Sequence, residues 1–195
     1  MKNREYESYD DYVTHQKKKT LSVFARTGTT KKIKDRTKRK IKRFVHKFQF
    51  LLKKIPKGST ALCLGARRGE EVVALKRLGY DATGIDLVAF PPHVIKGDFH
   101  NLPFDSKSFS FAYSNAIDHV YDLAPFAAEV DRVVKKGGYV MFHLSLKIWS
   151  NEMSLGLNSS REVSKYFQNF SVVNKVKTKP WAGGLNCMLF MKKIR

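Results

Sequence analysis

The chain has 195 residues, 43% of them hydrophobic, with 37 Lys/Arg against 17 Asp/Glu and a formal net charge of +20. That length suits one domain plus an appendage, and two cysteines exclude a disulfide-stapled scaffold, which favours a reducing, cytoplasmic setting. No apolar run approaches the roughly 18 residues of a membrane span, and MKNREYESYDDY lacks the apolar stretch of a secretory signal, so a soluble protein without a transmembrane segment is expected.

The charge is uneven. Residues 1–57 hold 19 Lys/Arg and 5 Asp/Glu, or +14, whereas residues 58–195 hold 18 and 12, or +6. A basic arm (1–57) therefore precedes the domain proper (58–195). Residues 1–30 are polar, with Lys17, Lys18 and Lys19 followed by Thr27, Gly28, Thr29 and Thr30. They are expected to be largely disordered, or ordered only when docked, and their deletion to leave cofactor binding nearly intact.

From Lys31 to Ile55 the pattern becomes helical. Ile41, Phe44, Val45, Phe48, Leu51, Leu52 and Ile55 recur at spacings of three and four, with Lys38, Arg39, Lys42, Arg43 and Lys47 between them, until Pro56 and Gly58 stop the run. The favoured reading is a surface helix docked by its apolar stripe near the mouth of the site. Nonspecific contact with RNA or another polyanion through residues 17–47 comes next, and adsorption to anionic membrane after it. The basic run at 31–43 also fits a nuclear address.

The remaining chain alternates strand and helix. Strands are predicted at Thr60–Leu64, Asp81–Ile85, His93–Lys96, Phe109–Tyr113 and Tyr139–Leu144, with helices at Glu70–Leu78 and Leu123–Val134. Gly137 and Gly138 are read as ending the second helix and opening the strand. A helix near Ser160–Phe167 follows, opened by Ser159 and Glu162 with capping-box spacing. Strands at Ser171–Lys177 and Leu185–Met191 come last, joined by a hairpin loop at Pro180–Gly184. Only Leu87–Pro92 connects the second and third strands, so the usual crossover helix is missing there. The alternation implies an α/β, doubly wound, Rossmann-like parallel sheet with ligands at the carboxyl ends of its strands.

The first strand–turn–helix unit specifies the ligand chemistry. Gly65 turns the chain, Gly69 lets the helix start pack closely, and Asp86 follows Gly65 by 21 residues at the tip of the second strand. A carboxylate there can accept hydrogen bonds from both hydroxyls of a ribose. A dinucleotide fingerprint would need glycine at 67 and 70, where Arg67 and Glu70 stand, and the phosphate-loop pattern is also broken. The remaining pattern suits a ligand with a ribose but no pyrophosphate, of which S-adenosylmethionine is one.

Three further runs follow in order: Gly97-Asp98-Phe99 leading to Leu102-Pro103-Phe104, then Phe109 to Asn115 with Ile117-Asp118-His119-Val120, then Glu129 to Val140. Together with the glycine turn, this series over roughly residues 60–145 resembles the class I S-adenosylmethionine-dependent methyltransferases, within them the type 11 methyltransferase domain. The resemblance implies a seven-stranded sheet of order 3-2-1-4-5-7-6 with the last strand antiparallel. It implies that Gly65, Ala66, Arg67 and Gly69 cradle the methionine part and that Asp86, with Leu87, binds the ribose. Asp98 would take the adenine amino group, Phe99 flank the ring, and Ser114 and Asn115 line the site.

Two positions depart from the family pattern. Cys63 stands where an acid is usual, and Arg67 where a second glycine is usual. Arginine is expected to be tolerated at 67 on the premise that the turn needs no positive φ there; if it does need one, the loop is displaced and the module is non-catalytic. His119 and His143 are the weak candidates for a general base, although transfer to sulfur or to a nucleophilic nitrogen needs none. No metal site is expected. No Asn/Asp-Pro-Pro-Tyr motif follows the fourth strand, nor is there a catalytic cysteine motif for pyrimidine carbon-5, which lowers nucleic-acid bases as acceptors. The sequence therefore reads as an enzyme methylating an unidentified, small-molecule acceptor. A cofactor- or nucleic-acid-binding module on the same fold, or an RNA methyltransferase, is the alternative.

Overall fold

The computed structural model describes residues 4–26, 31–148, 150, 153–181 and 184–195. Its strands are β1 (Thr60–Leu64), β2 (Asp81–Asp86), β3 (Val94–Lys96), β4 (Phe109–Ser114), β5 (Val134–Leu144), β6 (Phe170–Trp181) and β7 (Leu185–Lys193). They form one sheet in the order β3-β2-β1-β4-β5-β7-β6. The five strands β3 to β5 run parallel, and β7 is antiparallel to both β5 and β6. This is the sheet that the family resemblance implies.

Alternation along β1 builds two cores. Leu62 and Leu64 face one side of the sheet, under Leu123, Phe126, Val130 and Val133 of helix α4 (Leu123–Val133). Ala61 and Cys63 face the other, under Val72 and Leu75 of α3 (Glu70–Arg77) and Ile41, Phe44 and Phe48 of α2 (Lys31–Phe48). A short helical turn at Gln49–Lys53 continues α2 and buries Leu51. Six of the seven stripe residues are buried or half-buried; Leu52 alone turns outward, at 40% exposure. The basic helix is thus part of the domain's packing.

The structure changes several sequence-derived expectations. Residues 9–26 form a helix, α1 (Tyr9–Arg26), docked over the carboxyl ends of the strands, which corrects the expectation of disorder in favour of its docked alternative. Tyr12 is 1% exposed and packs edge-on to His100, at 5.7 Å between ring centroids, with Tyr121 at 5.2 Å. At the other end of α1, the Arg68 guanidinium lies 5.1 Å from the Phe24 ring and 5.7 Å from the Phe90 ring, linking helix to floor through cation–π contacts. Residues 27–30 lie outside the described residues.

Strand β5 begins directly after α4, at Val134, rather than at Tyr139. Gly137 and Gly138 therefore sit within the strand, where the register jumps from Phe109↔Val134 to Phe111↔Tyr139. Gly137, at φ 79°, supplies the left-handed residue that this irregularity needs. The expected helix at 160–167 is only α5 (Arg161–Ser164), and half of its capping box forms: Glu162 accepts from the Ser159 backbone N–H at 2.9 Å. Strand β6 runs through Pro180 and Trp181, past the expected end at Lys177, and residues 182–183 of the expected hairpin loop lie outside the described residues. No helix joins β2 to β3.

Candidate functional site

The site forms where β1 and β4 end and α3 begins. The Gly65 and Ala66 backbone N–H groups both donate to the Ile85 carbonyl, at 2.9 and 3.1 Å, and the Gly69 N–H closes the turn on the Ala66 carbonyl at 2.7 Å. Gly65 has φ 70°, and a Cβ there would come within 2.8 Å of the Ala116 Cβ, so both the conformation and the space demand glycine. Gly69, at φ 72°, caps α3 and packs against His93 and Val94 without reaching the cavity.

Arg67 adopts φ 46°, a left-handed conformation. The premise that position 67 needs no positive φ is therefore overturned. The consequence feared from it, a displaced loop, does not follow, because the Arg67 N–H still donates to Asp86 Oδ2 at 2.9 Å. That hydrogen bond and the neighbouring glycines hold arginine where glycine would rest without strain. Left-handed geometry costs about 1–2 kcal/mol per non-glycine residue, so Arg67→Gly is expected to raise stability by about 1 kcal/mol. Chemical denaturation checks this, and Arg67→Ala, which keeps the Cβ, should show no such gain.

Asp86 lies half-buried at the end of β2. Its Oδ2 faces the Arg67 N–H and its Oδ1 accepts from the Val88 N–H at 3.2 Å. Burial pushes its carboxyl above the ordinary aspartate range, against the pull of these N–H groups and of Arg67. Asp98 is held below its ordinary range: despite desolvation, its carboxylate accepts from the His100 N–H at 2.8 Å and sits 2.9 Å from His100 Nδ1, and it also accepts from the Tyr9 hydroxyl of α1. Phe99 stands beside it, 5.4 Å from the Phe126 ring.

Two openings meet at the turn. A cavity of about 440 Å³ is lined by Gly65, Ala66, Arg67, Glu70, Glu71, Asn115, Ala116, Asp118, His119 and Ser145, with Lys19 from α1 and Arg36 and Lys40 from α2 at its wall. A smaller one, about 40 Å³, lies between Asp86, Leu87 and Phe99 below and Tyr12, Gln16 and Thr20 of α1 above. Helix α1 thus roofs the side on which Asp86 and Asp98 stand. The smaller space is far below the roughly 300–1,000 Å³ of a small-molecule pocket, so α1 must shift before a nucleoside could seat there.

The structure brings together Gly65, Ala66, Arg67, Asp86, Leu87, Phe99 and Asn115 around these openings, with Asp98 under the roof. Ser114 is placed differently: buried, it donates to the Leu64 carbonyl at 3.0 Å and accepts from the Ala116 N–H, shaping the loop from beneath. His119 lines both cavities, and Lys19 Nζ lies 3.0 Å from its Nδ1. His143 is buried in the sheet, 3.0 Å from the Tyr113 hydroxyl and outside both linings. Desolvation, with Lys47 adding, pulls it down to about 3 and keeps the imidazole neutral. Its position makes it a packing residue.

Sequence reasoning missed Glu71, Asp118 and Ser145 as cavity residues. Asp118 Oδ1 and Ser145 Oγ are buried and have no hydrogen-bond partner among the described residues. A polar ligand in the cavity would satisfy them. Asp118 was legible only as His119's neighbour, and nothing local marks Ser145, which follows the last residue of β5. No group of His, Cys, Asp and Glu able to hold a metal ion occurs among the described residues, and no helix among them is long and apolar enough to cross a membrane.

Known proteins resemble this chain in sequence and fold. The sequence profile of the methyltransferase domain family matches residues 62–142. Phthiotriol/phenolphthiotriol dimycocerosates methyltransferase 1 of Mycobacterium ulcerans is 32% identical over 87 residues, which are 43% of this chain and only 32% of that protein. The matched stretch thus spans about a third of that relative. Among solved structures, Burkholderia thailandensis 1,6-didemethyltoxoflavin-N1-methyltransferase, with 1,6-didemethyltoxoflavin and S-adenosylhomocysteine bound, superposes with a TM-score of 0.72 at 13% identity, covering 98% of this chain and 93% of its own. The Haloferax volcanii complex of the Trm112 methyltransferase activator with a methyltransferase gives a TM-score of 0.61 at 19% identity, with 82% and 93% covered. Residues 62–142 of this chain thus match the sequence profile of the methyltransferase domain family, and the sheet has the strand order and directions of the class I S-adenosylmethionine-dependent methyltransferase fold.

Proposed function

We propose that this chain transfers a methyl group from S-adenosylmethionine to a small polar acceptor lodged in the 440 Å³ cavity. One observation carries the reading: the Asp86 carboxylate stands beside the Gly65 turn, where a side chain at 65 would collide with Ala116, and the turn opens directly into that cavity. The residues fit the cofactor. Asp86 would hold the ribose, Gly65 and Ala66 the chain next to it, and Asp98 and Phe99 the adenine once Tyr9 has withdrawn from Asp98. When bound, the cofactor supplies a methyl group on a positively charged sulfur.

The protein's own contribution is then orientation. Asn115, Asp118, His119 and Ser145 present hydrogen-bonding groups from the ends of β4 and β5, and the unpartnered Asp118 Oδ1 and Ser145 Oγ would fix a polar acceptor against the turn. Alignment of this kind supplies much of the rate in bimolecular transfers. His119 could accept a proton only after Lys19 leaves its ring. The Burkholderia relative, which holds a small-molecule ligand beside S-adenosylhomocysteine, supports a small acceptor here. Calorimetric titration with S-adenosylhomocysteine, followed by a labelled-methyl screen of extracts with and without nuclease, tests this. Incorporation confined to nuclease-sensitive material would replace the small acceptor with RNA.

The exposed face of α2 supports a further, separate contact. Lys34, Lys38, Arg39, Lys42 and Arg43 are all exposed on one helix and outside the cavity lining, and such a basic face binds polyanions whatever the acceptor. Binding to a generic single-stranded RNA should weaken steeply between 50 and 200 mM salt through counterion release. Replacing these five residues by glutamine should flatten that dependence while leaving S-adenosylhomocysteine affinity in place.

A further inference from the structure

Glu71 has no role in the ribose and adenine contacts assigned above, and its position calls for one. It sits in the first turn of α3, is 4% exposed and lines the larger cavity beside Gly65, Ala66 and Arg67. Among the described residues its carboxylate forms no ion pair; Lys40, the lysine that acts on it electrostatically, pairs at 3.1 Å with Glu70 instead. The side of Glu71 away from the cavity is sheet core, where Cys63 and Tyr113 are fully buried. An ionised carboxylate buried there without a paired cation is costly, so burial favours the protonated acid in the free protein and a positive charge brought into the cavity by a ligand would favour the ionised form.

We propose that Glu71 receives the α-ammonium group of the amino-acid tail of S-adenosylmethionine. This rests on the cofactor assignment of the preceding subsection. The same wall carries Arg67, whose positive charge can face the tail's carboxylate, so a zwitterionic end meets opposite charges within one turn of chain. The groups facing Glu71 are Glu70 on its own helix, Lys40 on α2, Arg67 in the turn, Cys63 on β1 and Tyr113 on β4. Desolvation, with Glu70 adding, pushes the Glu71 carboxyl up to about 8, against the pull of its own N–H, Lys40 and Arg67.

Two consequences separate recognition from a merely structural role. In the free protein the raised carboxyl contributes stability that is fully present below its ordinary value of 4.5 and lost as pH rises through about 8. An arriving ammonium favours the ionised form, so binding releases a proton near neutral pH and tightens as pH rises from 6 to 8, by at most about tenfold per unit.

The test is calorimetric titration of the full chain and of Glu71→Gln with S-adenosylhomocysteine, at pH 6 to 8 and in buffers of differing ionisation heat. 5′-Methylthioadenosine, which lacks the amino-acid tail, is titrated in parallel, and the melting temperatures of the unliganded proteins are recorded. Glu71→Gln should bind S-adenosylhomocysteine about tenfold or more weakly at pH 8, release no proton, bind 5′-methylthioadenosine like wild type and melt higher at pH 8. Equal S-adenosylhomocysteine affinity and equal proton release in the variant overturn the proposal, including the case where only turnover is lost, which would make Glu71 a base. Parallel loss of both ligands with a lower melting temperature also overturns it, in favour of a structural prop. If wild type binds neither ligand, the cofactor assignment falls and this proposal with it.

Discussion

Asp86→Ala is expected to weaken S-adenosylhomocysteine binding by about 1.5–3 kcal/mol, or roughly 10- to 150-fold, the range for hydrogen bonds to a charged group. The carboxylate has a second duty, because it accepts from the backbone N–H groups of Arg67 and Val88 and so ties the glycine turn to the loop after β2. Removing it leaves both donors without their acceptor and frees a turn already strained at Arg67. Asp86→Asn separates the two duties: one oxygen remains for a backbone donor while the charge is gone. Because burial raises the Asp86 carboxyl above its ordinary 3.8, wild-type affinity should decline on acidification before an unperturbed aspartate would titrate. Isothermal titration on variants whose unfolding is still cooperative decides the matter. An unchanged affinity in folded Asp86→Ala would sink the ribose assignment.

Phe48→Ala should cost about 3–5 kcal/mol, the usual loss for truncating a buried aromatic, and lower the melting temperature by roughly 6–20 °C for a domain of this size. Phe48 is completely buried, with its ring 4.9 Å from Tyr113 and 5.7 Å from Phe44, so it joins α2 to the sheet. Leu52, four residues on and 40% exposed, should tolerate alanine within about 0.5 kcal/mol. Deleting residues 1–55 removes the whole α2 layer and should prevent stable folding. Deleting residues 1–26 should not, because Tyr12 belongs to neither sheet core. It removes the roof over Asp86 and Asp98, however, so both association and dissociation of S-adenosylhomocysteine should accelerate. That replaces the expectation of nearly intact binding. Thermal melts and stopped-flow binding on both truncations measure these effects, and a 1–55 deletion with wild-type stability would show that α2 is an independent tether.

The strands were legible in the sequence because their determinants are local, whereas their order was implied by family resemblance. Apolar runs such as Ala61–Leu64 and Phe109–Tyr113 can only be buried strands between turn residues, and a glycine at 65 with an acid at 86 reads as a site from spacing alone. The stripe from Ile41 to Ile55 likewise announced its docking, since its period matches a helix whatever it packs against. At the N-terminus a signal was present but weaker. Tyr6, Tyr9, Tyr12, Gln16 and Thr20 recur at helical spacing, yet these residues are polar enough to be solvated, and only the floor of Tyr121, His100 and Asp98 makes their burial favourable. Tertiary structure alone decided the rest of the site. Whether Arg67 could sit left-handed depended on Asp86, 19 residues away, to hold its N–H. Whether Glu71 was a surface helix acid or a buried one depended on α2 and β4 closing around α3. Charge and backbone strain take their meaning from neighbours distant in sequence, and periodicity carries no information about them.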